Sequence, residues 1–586
     1  MEEVKGELKE NVSEKDIENR KSKLNKFLFG WVKDNYDKVF IAILVIAFII
    51  RVWIFLKTMN QPLWWDEADY LSAAKRWGLG LHIADAWYYR RGFLFPLIGA
   101  LFFGLGLGEI GMRFLIVLFS TGIVALSYFI ISKMFNKKLA LFTSVALTFS
   151  WIFLFFTGRL LTDIPATFFV LLALLFFWKG YVLKEGNKFL YLFALFLSFA
   201  VLVRMQSFMF IPPFLIYILI KEKSKVFKNK QLWITLGIFL LLLIPMFILY
   251  SIHYGNPITD IMSHDFGVGQ KAAQEGSTRI FSTAIFNYFW SIDSGQQVGL
   301  PYMLSTIIFI LLIIGIIYFF IELFIGFDKI FKNEILQNKL FVIVWILSLF
   351  LIMGYIGSVS YVEQRYIMAG LPFLFMIALS PLVLFSDLLV KHLHLSKKVV
   401  MGIILILITA LMIPNMIVGN SLIIQQEGSY SQIRQVGELI KADSNPGDIV
   451  LSSSLPQINY YSQLSTYPYD IKNYSIHLGD SSISNYSDGE LGFNQFIQNK
   501  KPKYLMASIF EGDPDWILQK GTINQGDNYI LLPYFNSSMV YNSQGQIVSL
   551  DIKSEVDKGN GVTLKLFYPT TQDEMDGVFV YKVNYS

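Results

Sequence analysis

The sequence contains no cysteine and only six histidines among its 586 residues. Without cysteine the chain forms no disulfide, no zinc-thiolate site and no thiol nucleophile, although this says nothing about its redox compartment. Charge is scarce too, because Asp, Glu, Lys and Arg make up 16% of the residues, against about 25% in soluble proteins. The sequence has no P-loop, Ser-His-Asp constellation or nucleic-acid-binding signature, so these classes of function receive no support.

Apolar sequence takes the place of the missing charge, since 54% of the residues are hydrophobic, more than one soluble core can use. A helix needs about 20 apolar residues to cross a bilayer. Eleven segments are predicted to cross: 39–57, 112–133, 139–157, 164–183, 189–207, 208–220, 232–252, 301–325, 340–358, 367–389 and 398–418. A twelfth apolar stretch, 92–107, is shorter and rich in glycine.

The distribution of lysine decides whether segment 92–107 crosses. If it does not cross and the N-terminus is cytoplasmic, the cytoplasmic loops hold the lysine clusters at 133–138, 179–188, 221–230, 329–339 and 391–398. If it does cross, all of these clusters face outward, against the positive-inside rule. We therefore predict that 92–107 is a re-entrant or surface-lying segment on the outer face.

This orientation predicts a multi-pass protein of the cell membrane with three parts. Residues 1–38 are polar, do not resemble a signal peptide and are expected to be a disordered cytoplasmic tail. Residues 39–419 form a transmembrane domain with outer loops 58–111 and 253–300. Residues 420–586 lack a membrane-length apolar run and alternate a helix-like segment with strand-like ones. They predict a small extracytoplasmic α/β or α+β domain.

The first outer loop carries an acidic motif, QPLWWDEADYLSAAKRWGLG. Asp66, Asp69 and Tyr70 share one face of the helix predicted there, and Glu67 lies beside them. A structural interpretation is a helix start at which acids favour the helix dipole. A functional interpretation is equally open, because ionisable residues at membrane level are usually functional.

A second acid, Asp163, lies at the outer end of a later membrane helix in TGRLLTDIPATFF. It could be a helix cap before Pro165, paired with Arg159 one turn earlier. The predicted topology also places it on the same side as Asp66, where two carboxylates would suit acid–base chemistry.

Several arginines fall on the same predicted side. They are Arg51, Arg90, Arg91, Arg113, Arg204 and Arg365. Snorkelling and ion pairing explain many arginines of this kind. A group of them also suits a phosphate-bearing headgroup, because guanidinium forks match phosphate oxygens.

The outer loop 253–300 contains HDFGVGQ, in which His264 and Asp265 are weak candidates for a metal ligand or a proton carrier. The histidines of the chain are not closely paired, so a metal site is left open rather than predicted.

The order of these motifs resembles the glycosyltransferase C-fold (GT-C) superfamily, and within it the protein O-mannosyltransferase and aminoarabinose transferase branch. WWDEADYLSAAKRW is similar to the family's acidic first-loop motif, and FPLIGALFFGLGLGEIGMR to its next segment, ending on Glu109 and Arg113. RLLTDIPA and QRYIMAGLP are similar to two later motifs. The resemblance covers about residues 40–420.

The resemblance implies an inverting membrane glycosyltransferase with a polyprenyl-phosphate sugar donor and a protein, lipid or glycan acceptor on the outer face. Asp66 matches the family's catalytic base, and Glu67 and Asp163 would orient the substrates. Arg91, Arg204 and Arg365 would stabilise the phosphate leaving group, and Tyr70 and Arg159 are further candidates for substrate binding. No cofactor is certain, and a divalent cation is left open. The aminoarabinose branch has a metal-binding Glu-Lys-Pro where this chain has Arg90-Arg91-Gly92.

Two other classes of function remain. A transporter or flippase of lipid-linked sugars would share the helices and arginines, and would favour repeats and broken helices near mid-membrane, neither of which the sequence indicates. A non-catalytic membrane scaffold would not require Asp66 and Asp163 to lie near each other.

Overall fold

The structure is a computed structural model. It describes residues 31–81, 91–254, 299–356, 363–392 and 394–471, together with 256, 286–289, 486–508, 510–511, 518–522, 529–533, 537–541, 547–552, 555–559, 561–568 and 578–586. The predicted tail up to residue 30, Arg90, His264 and Asp265 lie outside the described residues.

The first part of the chain is helical. Its helices are α1 (Asn35–Thr58), α2 (Trp65–Leu79), α3 (Leu94–Gly104), α4 (Gly108–Met134), α5 (Lys137–Phe149), α6 (Trp151–Thr157), α7 (Asp163–Phe177), α8 (Asn187–Val203), α9 (Ile211–Glu222), α10 (Lys230–Tyr254), α11 (Phe286–Phe289), α12 (Leu300–Leu304), α13 (Thr306–Ile325), α14 (Glu334–Ile356), α15 (Leu371–His392) and α16 (Lys397–Gln425). Short 3₁₀ turns at Met205–Phe210 and Gln364–Gly370 lead into α9 and α15.

Nine helical spans in the described part of the chain are long and apolar enough to cross a membrane, or ten when α5 and α6 count as one bent span. Helix α8 has 17 residues, so it is about 25 Å long and suffices for an eleventh crossing. Helix α3 has 11 residues and is too short at about 16 Å, as the lysine distribution indicates for 92–107. The predicted polytopic helical fold is confirmed.

One predicted span is broken, which the sequence did not indicate. Helices α5 and α6 meet at a bend of 51°, because Ser150 between them has an extended backbone. The amide of Trp151 donates instead to the side chain of Asn415 on α16, at 3.3 Å, so a neighbouring helix satisfies a backbone group freed by the break.

The C-terminal domain follows α16 and is a mixed α/β unit. It contains α17 (Ser431–Asp443), β1 (Ile449–Ser452), α18 (Leu455–Ser462), β2 (Ser465–Tyr467), α19 (Gly489–Lys500), β3 (Tyr504–Ser508), β4 (Leu518–Thr522), β5 (Tyr529–Pro533), β6 (Ser537–Tyr541), β7 (Ile547–Ile552), β8 (Glu555–Gly559), β9 (Val562–Tyr568) and β10 (Val578–Tyr585). The main sheet has the order β2-β1-β3-β10-β9-β8. Strands β1, β2 and β3 are parallel, and the rest of this sheet is antiparallel.

Two hydrophobic clusters cover the two faces of this sheet. Successive residues of β1 alternate between them, with Val450 in one cluster and Leu451 in the other. Helices α17 and α18 contribute to the first face, and α19 contributes to the second. Helix α18 also packs directly on α2, so the C-terminal domain rests on the helix that carries the acidic motif.

Candidate active site

Glu67 fixes the start of helix α2. One of its carboxylate oxygens accepts from the amide of Trp64 at 2.7 Å, and the other accepts from the amide of Leu160 at 2.7 Å. The side chain is fully buried. Glu67 therefore ties the loop before α2 to the loop before α7, and both of its oxygens are occupied by backbone amides.

The neighbouring face of α2 meets one arginine. Asp66 accepts from Nη1 of Arg91 at 2.9 Å, and Asp69 lies 2.9 Å from its Nε. The same Nη1 donates to the hydroxyl of Tyr70 at 3.2 Å. The shared helical face predicted from the sequence therefore exists, and Arg91 holds all three side chains.

Arg365 joins the two predicted acids. Its Nη1 lies 3.0 Å from Oδ2 of Asp66 and 3.9 Å from Oδ2 of Asp163. Its side chain also pairs with Glu363, which precedes it in the chain. Two carboxylates separated by almost a hundred residues of sequence thus lie on either side of one guanidinium.

Asp163 is paired with Arg204, whose Nη1 lies 2.6 Å from its Oδ1. Arg159, the partner suggested by the sequence, instead lies 3.7 Å from Glu67 and over the ring of Trp64, 3.6 Å from its centroid. The sequence interpretation of an Asp163–Arg159 pair is wrong because Arg159 lies before the start of α7 and turns toward the loop at Trp64.

These contacts form one chain of alternating charge, which we call the ion-pair cluster. It runs in the order Asp69, Arg91, Asp66, Arg365, Asp163 and Arg204. The side chain of Asp66 is 25% exposed, whereas that of Asp163 is 2% exposed. Within the cluster, Asp66 is therefore accessible to a substrate and Asp163 is not.

The pKa values of Asp66 and Asp69 are shifted in opposite directions. Burial by itself would raise the pKa of Asp66, but the positive charges of Arg91 and Arg365 outweigh it and hold that pKa well below its usual range. Burial raises the pKa of Asp69, against the attraction of Arg91 and with added repulsion from Asp66. Asp66 is thus firmly ionised while both arginines contact it.

A cavity of about 30 Å³ lies beside Asp163, Arg204 and Arg365, and Tyr366 and Thr167 also line it. This is about the share of one water molecule in the liquid. Oδ2 of Asp163 is buried and has no hydrogen-bond partner among the described residues. The buried end of the cluster therefore has room and polarity for one small polar group.

The remaining predicted arginines have other surroundings. Arg51 is fully buried in α1 and donates to Ser120, Ala47 and Leu147. Arg113 donates to Glu109 and to two backbone carbonyls. Neither belongs to the ion-pair cluster.

Several residues of the site were not named as site residues from the sequence. Glu363 accepts from Arg365 and from the hydroxyl of Tyr366, and the ring of Tyr366 lies under Arg204, 5.2 Å from its Cζ. Thr162 contacts both Tyr70 and Arg204 at 3.4 Å. Glu363 and Tyr366 lie within two residues of Arg365, and Thr162 directly precedes Asp163. This nearness in the sequence was the signal that could have identified them as site residues.

No group of three or more His, Cys, Asp or Glu side chains in the described ranges is arranged to hold a metal ion. The three carboxylates of the ion-pair cluster each contact an arginine instead. Whether His264 and Asp265, which lie outside the described residues, bind a divalent cation stays an open question.

One family model matches part of the sequence. Residues 90–249 match the family dolichyl-phosphate-mannose-protein mannosyltransferase. This range includes Arg91, Asp163 and Arg204, and ends before Arg365. No curated protein matches the chain at a significant level.

Solved structures with a similar fold include ArnT from Cupriavidus metallidurans bound to undecaprenyl phosphate. It is 14% identical with a TM-score of 0.55, over 82% of this chain and 94% of that one. The Archaeoglobus fulgidus oligosaccharyltransferase with a tethered acceptor peptide is 14% identical with a TM-score of 0.54, over 82% of this chain and 70% of that one. The same enzyme, AglB, in complex with an inhibitory peptide and a dolichol-phosphate has a TM-score of 0.51 at 14% identity, covering 81% of this chain and 70% of that one.

At this level of identity the structural likeness establishes the fold. The matched family model adds a link in sequence to the same group of membrane proteins. The chain therefore has the fold of these membrane enzymes, and its residues 90–249 are similar in sequence to the dolichyl-phosphate-mannose-protein mannosyltransferase family.

Proposed function

We propose that the chain is an inverting membrane glycosyltransferase that moves a sugar from a polyprenyl-phosphate donor to an acceptor hydroxyl on the outer face of the membrane. The observation that carries this proposal is the bridge of Asp66 and Asp163 by Arg365, at 3.0 and 3.9 Å. It unites an accessible carboxylate with a group of arginines suited to phosphate. Structures of the same fold hold undecaprenyl phosphate or dolichol-phosphate.

The reaction is a single displacement at the anomeric carbon. The acceptor oxygen forms a bond to that carbon while the bond from the carbon to the phosphate oxygen breaks. The acceptor proton passes to the carboxylate of Asp66, and polyprenyl phosphate leaves with the bonding electrons. Asp66 suits the role of base because it is the most exposed carboxylate of the ion-pair cluster, and general bases of this kind contribute about 10²–10⁴-fold to rate.

The arginines have a second role in this proposal. With both oxygens of Asp66 accepting from Arg91 and Arg365, the carboxylate is a weak base. A donor phosphate competes for the same guanidinium groups, since phosphate accepts bidentate arginine bonds. The donor thereby releases Asp66, raises its pKa and stabilises its own leaving group. Donor binding accordingly precedes acceptor activation.

Glu67, Asp163 and Arg159 have supporting roles. Asp163 orients Arg204 and Arg365, which it contacts. Glu67 and Arg159 are buried beside each other, so we assign them to holding the two loops rather than to direct contact with acceptor or carrier.

The test is Asp66→Asn in the full chain, in lipid nanodiscs with a polyprenyl-phosphate sugar and a panel of acceptors. We expect transfer to fall by about 10²–10⁴-fold while polyprenyl phosphate itself binds several-fold more tightly, because two arginines lose a competing anion. Asp387→Asn is the matched control, since Asp387 is an exposed partner of Lys138 remote from the cluster, and it should change neither quantity.

Each outcome is decisive for one part of the proposal. Transfer within about tenfold of the unmodified enzyme would reject Asp66 as the base. Unchanged or weaker binding of polyprenyl phosphate would reject competition between phosphate and Asp66. Movement of the lipid-linked sugar across the bilayer without any transfer would favour the flippase alternative.

A further inference from the structure

A tyrosine of the C-terminal domain contacts the segments that lead to the active site. The hydroxyl of Tyr460 on α18 donates to Oε2 of Glu109 at 3.0 Å. The other oxygen of Glu109 accepts from Nε of Arg113 at 2.9 Å. Tyr460 is 6% exposed and Arg113 is 3% exposed, whereas the side chain of Glu109 between them is 23% exposed. The two ends of this connection are therefore buried, and its carboxylate is partly open to solvent.

Arg113 continues the connection to both loops that precede the acids. Its Nη1 donates to the carbonyl of Gly158 at 3.1 Å, and its Nη2 donates to the carbonyl of Gln61 at 2.7 Å. Gly158 lies five residues before Asp163, and Gln61 lies five residues before Asp66. One guanidinium therefore fixes the approach of the chain to both carboxylates.

The two loops also contact each other and the same domain. A Cβ on Gly158 would lie 3.0 Å from Cγ2 of Thr58, so the loops are closely packed. The hydroxyl of Tyr461 accepts from the amide of Leu63 at 2.9 Å, and Arg434 donates to the carbonyl of Asn60 at 2.9 Å. A displacement of α18 would be transmitted to the loops along several routes.

We propose that Tyr460 is a positioning residue of the transferase site, acting through Glu109 and Arg113 on the two loops that carry Asp66 and Asp163. The inference rests on the proposed function and assigns the C-terminal domain a part in it. The domain holds Asp66, the base, and Asp163, which contacts Arg204 and Arg365, at the spacing that the ion-pair cluster needs. The cluster therefore forms only when α18 is packed on α2. A change in the relative position of Asp66 and Asp163 would reduce turnover more than donor affinity, because small misplacements of reacting groups act on the chemical step.

The first test is Tyr460→Phe in the full chain, which removes the hydroxyl and keeps the ring packed against Tyr461 and under Lys75. We expect kcat to fall about tenfold with the donor KM unchanged, as for the loss of one hydrogen bond to a charged group. The matched control is Tyr585→Phe, whose hydroxyl donates to the carbonyl of Pro502 inside the same domain, and its kcat should be unchanged.

A double-mutant cycle separates this chain of contacts from a general loss of stability. Glu109→Gln alone should also lower kcat, because the amide cannot serve both Tyr460 and the arginine as a charged acceptor. In the Tyr460→Phe background it should add clearly less than it does alone, since the two residues act through one connection. Fully additive effects, or an unchanged kcat in Tyr460→Phe, would overturn the proposal.

A second readout does not depend on transfer. Amide hydrogen exchange of segments 58–66 and 158–163 should become faster in Tyr460→Phe and stay unchanged in Tyr585→Phe. Unchanged exchange in both segments would reject the positioning role even if transfer fell. If the unmodified protein transferred no sugar, the proposed function would fail while this experiment still decided whether Tyr460 holds the loops.

Discussion

Asp66 and Glu67 are consecutive residues of α2, yet the two regions around them differ in kind. The Glu67 region is dry and fixed, because the carboxylate accepts from two backbone amides and lies against Arg159. The Asp66 region is partly open, and the contacts of its carboxylate among the described residues are with the side chains of Arg91 and Arg365. A backbone amide cannot turn away to another anion, whereas a guanidinium on a long side chain can. An acid held by backbone amides is therefore suited to a structural role, and an acid held by arginine side chains is suited to a chemical one.

The arginines also differ in the kind of partner that they contact, and Arg51 is an example. It lies in a membrane-crossing helix and is fully buried, with neutral oxygens of Ser120, Ala47 and Leu147 as its acceptors. Arginines of the ion-pair cluster instead pair with carboxylates. Only the latter can exchange one anion for another, so only they suit a reaction in which a phosphate arrives and departs.

The substitution that we expect to have the largest effect on the Asp66 region is Arg365→Lys. A lysine keeps the charge but presents a point-like ammonium that cannot serve Asp66, Asp163 and Glu363 together. We expect kcat to fall by about 10²–10³-fold, as when one preorganised donor at a developing charge is lost. The measurement is steady-state transfer in nanodiscs. Lys138→Arg is the control, because Lys138 pairs with the exposed Asp387 remote from the cluster and should have a much smaller effect; equal losses in both variants would contradict the role of the bridge.

Glu67→Gln removes a hydrogen-bond acceptor from the Glu67 region, and we expect it to lower the stability of the folded protein more than its kcat. The amide nitrogen of glutamine would face one of the two backbone amides, leaving a buried donor without an acceptor, at a cost of about 1–3 kcal/mol. The apparent midpoint of thermal unfolding should fall, while kcat per folded molecule changes far less than in Asp66→Asn. A large loss of kcat at an unchanged midpoint would instead give Glu67 a direct role in the reaction.

The smallest effect that we expect is on the pH dependence of stability, and it involves Lys75. This residue lies on the opposite side of α2, against which the C-terminal domain packs. Its ammonium donates to the carbonyl of Tyr460 at 3.2 Å. Burial lowers the pKa of Lys75 to about 8, repulsion by Lys441 acts in the same direction, and Glu109 opposes it. Between pH 8 and the unfolded value of 10.5 the unfolded chain binds more protons, so stability should rise with pH there.

Lys75→Met isolates this titration. Relative to that variant, the unmodified protein should gain up to about 1–2 kcal/mol as pH rises above 8, after allowance for the partial exposure of the ammonium. Thermal unfolding of both proteins between pH 7 and pH 9.5 measures the difference. A difference that does not change with pH would mean that Lys75 keeps its ordinary pKa.

Much of the architecture follows from the sequence. Runs of about 20 apolar residues have few alternatives to a membrane helix, and the strand-like segments of the C-terminal domain recur as β1, β3, β5, β7, β9 and β10. The break at Ser150 was not predicted from the sequence, and the backbone amide next to it, that of Trp151, donates to Asn415, which is 264 residues away along the chain. The alternative pairing of Asp163 with Arg159 rested on nearness in sequence, whereas the structure pairs Asp163 with Arg204 from a later helix end.

By itself the sequence determined the membrane class, the strand-like segments of the C-terminal domain and the short list of acids and arginines, because each follows from composition or from a local pattern. Only the tertiary structure decided which of them meet. Arg365 lies 299 residues from Asp66 along the chain, and Tyr460 lies 351 residues from Glu109. No local pattern encodes contacts at such separations, since they arise from how the helices pack and how the C-terminal domain is seated on α2.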